Sequence, residues 1–457
     1  SGWVKLASIL ARALPVARRR AALEDLLQPL VGATVFAFAC GSSSVPAVTR
    51  IGHSARWAAL VALLAVAALV QVRRRSLSAL SAAGWAAAAF VLLAIVSAAW
   101  SVAPRLSVER GLSLGLLFLT CVLLAAAGRP SELLVGVLGG AVAVALAGVV
   151  LLAVAHARAV QPASYATPAR YQGFGQDPNT VALLLAVVLP LALWALLEAR
   201  SPLQRLAAFS ALGLLAGSIV ASGSRGGLLA AGVGAFVVLL SRGLRRRATL
   251  LGAAAIAAAV VVGAAIQTLP KASPLTGAPA PPAHAAPLVP KPRPGYHDAE
   301  REYPLDADIG LPLPGGGQPT VTRSLFGASG RLDAWQGALH DVVRRPLAGH
   351  GFGTERTVFV DRYYRFVGGL PENSYIGLAL QLGVAGLLVF AALVLALVRP
   401  GLRAPRGPRR ALAGAGLGVL AAGLAIACVQ SYVYSVGNLA AAALWIPAFL
   451  VPAASDG

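Results

Sequence analysis

The run SELLVGVLGGAVAVALAGVVLLAVA at residues 131–155 contains a single charged side chain, that of Glu132. A helix needs about 20 mostly apolar residues to cross the hydrocarbon core of a bilayer. The run is continuously apolar and does not alternate with a period of two, so it is unlike a strand of a membrane β-barrel. These residues are therefore predicted to form a transmembrane helix.

Eleven other stretches of the chain meet the same requirement for length and apolar composition. Together the twelve predict an all-α fold, a polytopic membrane helix bundle of about 12 transmembrane helices with one large external loop. The first of them is the weakest, because the polar segment Gly41–Ser44 interrupts it. The other predicted spans are residues 28–48, 56–72, 80–100, 110–128, 178–198, 204–221, 226–241, 248–267, 374–398, 411–430 and 435–453.

The charge of the chain supports the same class. There are 38 Lys and Arg residues against 17 Asp and Glu, a formal net charge of +21. In a soluble protein this excess would suggest a nucleic-acid binder, but only 12% of the residues are charged and 58% are hydrophobic. Basic residues concentrate in alternate short loops, such as Arg73–Arg75 and Arg245–Arg247, as expected for cytoplasmic loops. We therefore expect both termini in the cytoplasm, contacts with membrane lipids and no nucleic-acid partner.

Four regions follow from this topology. Residues 1–27 are predicted to be an amphipathic N-terminal segment, 28–267 transmembrane helices 1–9, 268–373 the external loop and 374–457 helices 10–12. Within the loop, residues 270–320 contain thirteen prolines and are predicted to be extended.

The second part of the external loop has a helical pattern. Four apolar residues recur at helical spacing after Ser329, a suitable capping residue. Residues 325–346 are therefore predicted to contain a short amphipathic helix lying over the mouth of the bundle. The recurring residues are Leu332, Trp335, Leu339 and Val343, and a glycine-rich turn follows at Gly349, Gly351 and Gly353.

Polar residues in short external loops are candidates for function, because positive charge is disfavoured there. Arg225 lies in the tight turn Ser222–Gly227, where its guanidinium could grip a phosphate with paired hydrogen bonds. The alternative is an arginine that merely reaches the lipid head groups. Arg170 and Gln172 precede a helix start at which Asp177 is the predicted N-cap, and both are predicted to bind substrate.

A further group lies around the point where the external loop re-enters the membrane. Glu372 is predicted to occupy the first turn or the cap of the next span, either as a capping carboxylate or as a general base. His350 in the glycine-rich turn is a second candidate for the base. Arg331 on the loop helix, Asn373 and Tyr375 are predicted to contact the substrate.

The sequence predicts neither a metal ion nor a cofactor. The six histidines show no ligand spacing, and the acidic residues do not pair in a motif that holds Mg²⁺ or Mn²⁺. No glycine-rich phosphate-binding loop is present, so ATP is not indicated as a source of energy.

These residues resemble the O-antigen ligase superfamily, which includes related polysaccharide polymerases. Its ligase motif is His, then Asn, Ser or Gln, nine residues, Gly, two residues and Gly, Thr or Tyr. Here Glu372 and Asn373 are followed by nine residues and then Gly383-Val-Ala-Gly386, so the spacing matches while Glu replaces the leading His. Other matching features are the Pro178-Asn179 helix start, the Ser-Arg225-Gly-Gly turn, and Arg331 with Trp335 before Pro346–Gly353.

The resemblance implies a function. Members move a glycan from an undecaprenyl-diphosphate donor to an acceptor hydroxyl on the outer side of the bacterial inner membrane, without a metal ion. The acceptor is lipid A–core in the ligases and a second lipid-linked glycan in the polymerases. Arginines would then stabilise the diphosphate leaving group, and Glu372 or His350 would remove the acceptor proton at a periplasmic active site.

Two other classes of function remain open. A transporter or flippase of lipid-linked saccharides would need broken helices with polar groups at the centre of the membrane, and the predicted spans contain almost no ionisable residues. A non-catalytic scaffold would use the proline-rich loop to recruit a partner, but it leaves the external arginines unexplained.

Overall fold

The computed structural model describes residues 23–74, 80–163, 168–269, 331–359 and 370–456. Within these ranges the chain is almost entirely helical. The first elements are α1 (Leu27–Cys40), α2 (Pro46–Arg74), α3 (Ala82–Val96), α4 (Pro104–Ala126), α5 (Pro130–Val154) and α6 (His156–Ala159), then the antiparallel strands β1 (Val160–Gln161) and β2 (Arg170–Tyr171). The remaining helices are α7 (Pro178–Glu198), α8 (Pro202–Ala221), α9 (Arg225–Ser241), α10 (Arg245–Thr268), α11 (Arg331–Arg344), α12 (Glu355–Val358), α13 (Ser374–Arg403), α14 (Pro408–Ile426) and α15 (Ala441–Asp456).

Every predicted span overlaps one of the long helices. Within the described ranges, ten helices are long and apolar enough to cross a membrane, and α9 and α15 are apolar but shorter. The chain is thus a polytopic all-α membrane bundle, as the sequence predicts. Residues 1–22 of the amphipathic segment predicted over 1–27, and the proline-rich stretch 270–320, lie outside the described residues.

Helix α7 forms the centre of the bundle together with α14. Two thirds of the apolar window of each helix is buried inside the protein, and α7 packs against α5, α8, α9, α14 and α15. Where α9 and α14 cross α7 at Pro190, both carry a glycine. A methyl group on Gly234 would lie 2.6 Å from the carbonyl oxygen of Gly418, so small residues allow the backbones to approach closely.

Helix α13 is broken at Gly383, whose backbone has φ 61° and ψ −157°. Four backbone hydrogen bonds between α13 and the segment 346–351 replace the helical bonds lost at the break. The amides of His350 and Gly351 donate to the carbonyls of Leu380 and Gln381 at 3.0 and 2.8 Å. On the other side of the break, the amides of Val384 and Ala385 donate to the carbonyls of Pro346 and Leu347 at 2.8 and 3.1 Å. Irregular backbone within a membrane span is tolerated where protein satisfies it in this way.

The predicted loop helix is present as α11, and three of its recurring apolar residues do not pack against the bundle. Leu332, Leu339 and Val343 are exposed. The residues that pack against Leu380 of α13 are instead Ala334 and Ala338, which are fully buried. Small side chains let α11 lie close to α13, and the larger apolar residues face outward, as on a helix lying at a membrane surface.

Because the spans alternate in direction, the starts of α7, α9 and α13 lie at one end of the bundle. At the opposite end, arginines pair with carboxylates. Arg74 lies 2.9 Å from Glu24 and Arg129 lies 2.7 Å from Asp25, while Arg242 pairs with Glu198.

Candidate active site

Charged side chains from four separate segments lie near enough to act on one another electrostatically at the end where α7, α9 and α13 begin. They are Asp177 before α7, Arg225 at the start of α9, Arg331 at the start of α11 and Glu372 before α13. The charges of Glu372, Arg225 and Asp177 all act on Arg331, and those of Arg331 and Asp177 act on Glu372. Segments that the sequence indicated separately therefore form one site.

Glu372 has an unusual backbone conformation. Its φ of 53° is the single positive value among the described residues other than glycine, and such strain is typical of functional positions. The expectation that Glu372 lies in the first turn or cap of α13 is wrong. Asn373 is the N-cap, since its side-chain oxygen accepts from the amides of Tyr375 and Ile376 at 3.0 and 3.1 Å. The Glu372 carboxyl is therefore not used as a cap.

The surroundings of Glu372 favour its neutral form. Burial raises the pKa of the Glu372 carboxyl above its ordinary value, and the positive charges of Arg331 and Arg356 partly oppose that shift. The carboxyl makes no hydrogen bond or ion pair with any described residue. It is thus a half-buried carboxyl close to positive charge but without a fixed partner.

Arg331 and Trp335 stand one helical turn apart on α11 and contribute unsatisfied donors. The Nε of Arg331 and the Nε1 of Trp335 are buried and have no hydrogen-bond acceptor among the described residues. Burial lowers the pKa of the Arg331 guanidinium, and Glu372 opposes that shift. A buried donor without a partner costs about 1–3 kcal/mol, so both groups are suited to a ligand that brings acceptor oxygens.

The predicted tight turn around Arg225 is confirmed. Helix α8 ends at Ala221, Gly223 has φ 66°, and Ser224 caps α9 by accepting from the amide of Gly227 at 3.3 Å. Arg225 thus occupies the first helical position, where the helix dipole also favours an anion.

Arg170 and Gln172 both have hydrogen-bond partners within the protein. The Nε of Arg170 donates to the carbonyl of Ser222 at 2.7 Å, and its Nη2 donates to Oδ1 of Asn179 at 2.9 Å. Arg170 therefore ties the turn before α9 to the start of α7. Gln172 donates to the carbonyl of Arg158 at 2.8 Å. The predicted contact of these two side chains with substrate stays a prediction.

Asn373 and Tyr375 also have structural partners. Besides capping α13, Asn373 donates to the carbonyl of Cys428 at 3.0 Å. The Tyr375 hydroxyl donates to the carbonyl of Leu424 in α14 at 2.8 Å. Both side chains hold the start of α13 against the end of α14 and so help to fix the position of the adjacent Glu372. Their predicted contact with substrate is untested.

Sequence reasoning missed Glu355, which lies in a buried network beside Glu372. Its side chain accepts from the hydroxyls of Ser431 and Tyr434 at 2.8 and 2.7 Å. Burial raises the pKa of the Glu355 carboxyl to about 7, the charge of Glu372 adds to the rise, and the two hydroxyl donors oppose it. A side chain on Gly377 would collide with this network. An acid two residues after the last glycine of the glycine-rich turn was the available signal, but its burial depends on helices distant in sequence.

His350 lies in the buried glycine-rich turn. Its Nε2 donates to the backbone carbonyl of Asp341 at 3.1 Å. Its backbone amide donates to the carbonyl of Leu380, one of the hydrogen bonds at the break in α13. The charged groups that act on Glu372 and Arg331 do not include His350. His350 thus uses its ring nitrogen in a hydrogen bond within the protein, and its role as a general base stays a prediction. No three His, Cys, Asp or Glu side chains in these ranges are grouped as metal ligands would be.

The fold and site define a multi-pass membrane protein with an arginine–carboxylate site at one end of its helix bundle. Residues 210–391 match the family model described as O-antigen ligase. This part of the chain is therefore similar to O-antigen ligases, in agreement with the resemblance seen in the sequence. The matched range includes Arg225, Arg331, Glu355 and Glu372, while Arg170 precedes it. No curated protein matches the chain.

Proposed function

We propose that the protein is a metal-independent, inverting glycosyltransferase that moves a glycan from an undecaprenyl-diphosphate donor to an acceptor hydroxyl on the periplasmic face. The observation that carries the proposal is the meeting of Arg225 and Arg331 with Glu372 at the start of three helices. A transfer of this kind needs fixed positive charge for the leaving diphosphate and a base for the acceptor, and these residues supply both.

Arg225 and Arg331 would hold the diphosphate. Negative charge grows on the bridging oxygen as the bond to the sugar breaks, so fixed guanidinium groups stabilise the transition state more than the ground state. The start of α9 and the unsatisfied Nε of Arg331 add donors for phosphate oxygens. Arg170 acts as a positioning residue, because its two hydrogen bonds hold the turn that carries Arg225.

Glu372 would act as the general base. The acceptor oxygen forms a bond to the anomeric carbon, its proton passes to the Glu372 carboxylate, and the bond from that carbon to the diphosphate breaks with its electrons on the leaving oxygen. A single displacement from the opposite face inverts the anomeric centre. Burial raises the pKa of Glu372 toward the operating pH, and a carboxylate with a higher pKa is a stronger base.

The alternative of a transporter or flippase finds one supporting feature, the broken helix α13. Transporters use the free backbone groups at such breaks to bind substrates or ions. Here the groups around Gly383 are occupied by the backbone of residues 346–351. The break therefore binds the loop that leads to Glu355 and does not leave these backbone groups for a transported ligand. For this reason the glycosyltransferase assignment is preferred.

The test is to incubate the purified protein in detergent with an undecaprenyl-diphosphate oligosaccharide, with and without lipid A–core. A ladder of longer lipid-linked glycans without core identifies a polymerase, and a single shifted band that requires core identifies a ligase. Absence of any transferred glycan under both conditions, with movement of the intact lipid-linked donor across proteoliposomes, would overturn the proposal in favour of a flippase.

A further inference from the structure

A second pair of arginines lies near the same end of the bundle, in the region that precedes the family match. Arg56 belongs to α2 and Arg110 to α4, and both reach the loop between α14 and α15. Nη1 of Arg56 donates to the carbonyl oxygen of Gly437 at 3.0 Å. A methyl group placed on Gly437 would lie 3.6 Å from Nη1 of Arg56 and 3.9 Å from Nη1 of Arg110. The two guanidinium groups therefore converge on one point.

No carboxylate among the described residues pairs with either arginine. Glu109, next to Arg110 in the chain, is instead bonded to Arg105 at 2.8 Å. The Nε of Arg56 is buried and has no hydrogen-bond acceptor among the described residues. Two like charges close together in a partly buried place repel each other and lose hydration. An anion bound between them would remove both costs.

The pair lies near the chain segments that carry Glu355 and Tyr434. The stem of Arg110 packs against Gly353, where a methyl group would lie 2.7 Å from its Cγ, and Glu355 follows two residues later. On the other side, Gly437 follows Tyr434, the hydrogen-bond partner of Glu355, by three residues. The charges that act on Arg331 and Glu372 include neither Arg56 nor Arg110. The chain thus carries two separate arginine sites near one reaction centre.

We propose that Arg56 and Arg110 bind a phosphate group of the acceptor substrate, while Arg225 and Arg331 hold the diphosphate of the donor. The inference rests on the proposed function, since it assigns the second substrate of the same reaction. Paired guanidinium groups match phosphate oxygens in geometry and charge. Phosphate is carried both by a second lipid-linked glycan and by a phosphorylated lipid core, and the experiments below separate these sources from ordinary phospholipid.

The first experiment counts binding sites without requiring activity. The purified protein in detergent is titrated with farnesyl diphosphate, and bound equivalents are measured by native mass spectrometry. The wild type should bind two equivalents, and Arg110→Ala and the double variant Arg225→Ala/Arg331→Ala should each bind one. Arg110 makes no hydrogen bond or ion pair with a described residue, so its substitution should leave the fold intact. Arg105→Ala, an exposed arginine at the same end, is the matched control and should bind two.

Two outcomes of the titration would overturn the proposal while leaving the donor site standing. One is a single equivalent in the wild type that is lost only in Arg225→Ala/Arg331→Ala. The other is displacement of the Arg110-dependent equivalent by phosphatidylglycerol at equal concentration, which would assign the pair to membrane phospholipid. Failure of the proposed function itself would appear differently, as unchanged binding when Arg225 and Arg331 are both replaced.

The second experiment measures transfer with two substrates varied independently. Arg110→Ala should raise the KM for a phosphate-bearing acceptor by at least about tenfold, as expected when a charged hydrogen bond is lost, with the donor KM unchanged. The wild type should prefer the phosphorylated acceptor over its dephosphorylated form, and the variant should not. Comparison of a lipid-linked glycan with lipid A–core identifies which source the pair selects. A change in the donor KM alone, or equal preference in wild type and variant, would contradict the acceptor assignment.

Discussion

The two ends of the helix bundle hold arginines in different surroundings. At the end where α2 and α9 finish, arginines lie within hydrogen-bond distance of carboxylates, as in the pairs Arg74–Glu24 at 2.9 Å and Arg129–Asp25 at 2.7 Å. At the other end, Arg331 and Glu372 act on each other electrostatically but form no ion pair or hydrogen bond within the described part of the chain.

This difference separates charge that serves structure from charge kept for a ligand. A paired arginine satisfies its donors within the protein and has little left to offer a substrate. An arginine whose buried Nε lacks a partner costs stability until an anion arrives. We therefore expect replacement of the arginines at the end with Arg74 and Arg129 to change stability little. Replacement of charged residues at the end with Arg331 and Glu372 should reduce glycan transfer strongly.

The largest effect is expected at the end of the bundle that holds the proposed active site. Arg225→Ala and Glu372→Gln should each reduce glycan transfer by about 10³-fold or more, because one removes charge stabilisation of the leaving diphosphate and the other removes the base. Initial rates with a lipid-linked oligosaccharide measure the loss. Wild-type activity should also fall as the pH is lowered through a midpoint above the ordinary glutamate range, since burial raises the pKa of Glu372.

The matched control for these variants is Arg200→Ala, an exposed arginine at the opposite end, which should transfer at the wild-type rate. Thermal unfolding in detergent establishes that all three variants are folded. Near-normal transfer by both Arg225→Ala and Glu372→Gln would refute the site assignment.

The next effect concerns Glu355 and the pH dependence of stability. Its carboxyl has a pKa of about 7 in the folded protein against a reference value of 4.5, so the folded state holds the proton more tightly than the unfolded state. The resulting contribution is fully present below pH 4.5 and is lost as the pH rises to about 7. It amounts to at most about 3 kcal/mol. The melting temperature of the wild type should therefore fall between pH 5 and 8.

Glu355→Gln removes this titration, because an amide stays neutral over the same range. The variant should show a flatter dependence of melting temperature on pH than the wild type, whatever its absolute stability. Equal slopes in the two proteins would contradict a buried, proton-holding Glu355.

A smaller effect is expected at the break in α13. Gly383→Ala places a side chain at φ 61° and against the backbone of Leu347, so it should destabilise the protein by about 2 kcal/mol. Gly217→Ala in α8 is the control, because a methyl group there meets open space and should be neutral or stabilising. Thermal unfolding of both variants tests whether the break is required, and similar melting temperatures would argue against it.

The smallest effect is expected at the opposite end of the bundle, where Arg74 and Arg129 pair with carboxylates. Arg129→Ala removes ion pairs to Asp25, Glu132 and Glu24 at 2.7, 3.1 and 4.0 Å, and partly exposed pairs contribute about 0–1 kcal/mol each. The melting temperature should change little and the transfer rate should not change. A loss of activity comparable to that of Arg225→Ala would remove the distinction between the two ends.

Much of the fold could be predicted from the sequence, because hydropathy over about 20 residues is a local property. Local capping chemistry likewise identified Asp177 as the cap of α7, which accepts from the Asn179 amide at 2.8 Å, and it located the turn at Arg225. The same reasoning was wrong about Glu372 as a cap, because the side chain of Asn373 caps α13 instead.

The sequence by itself determined that the chain is a helical membrane protein, and it identified Arg225 in a short turn and Arg331 and Glu372 in the long loop as separate candidates. Only the tertiary structure brought these residues together, buried Glu355 beside them and left Arg56 and Arg110 converging on Gly437. The physical reason is range. Helix formation and capping depend on residues a few positions apart, whereas burial, pKa and the meeting of charges depend on how helices distant in the chain pack against each other.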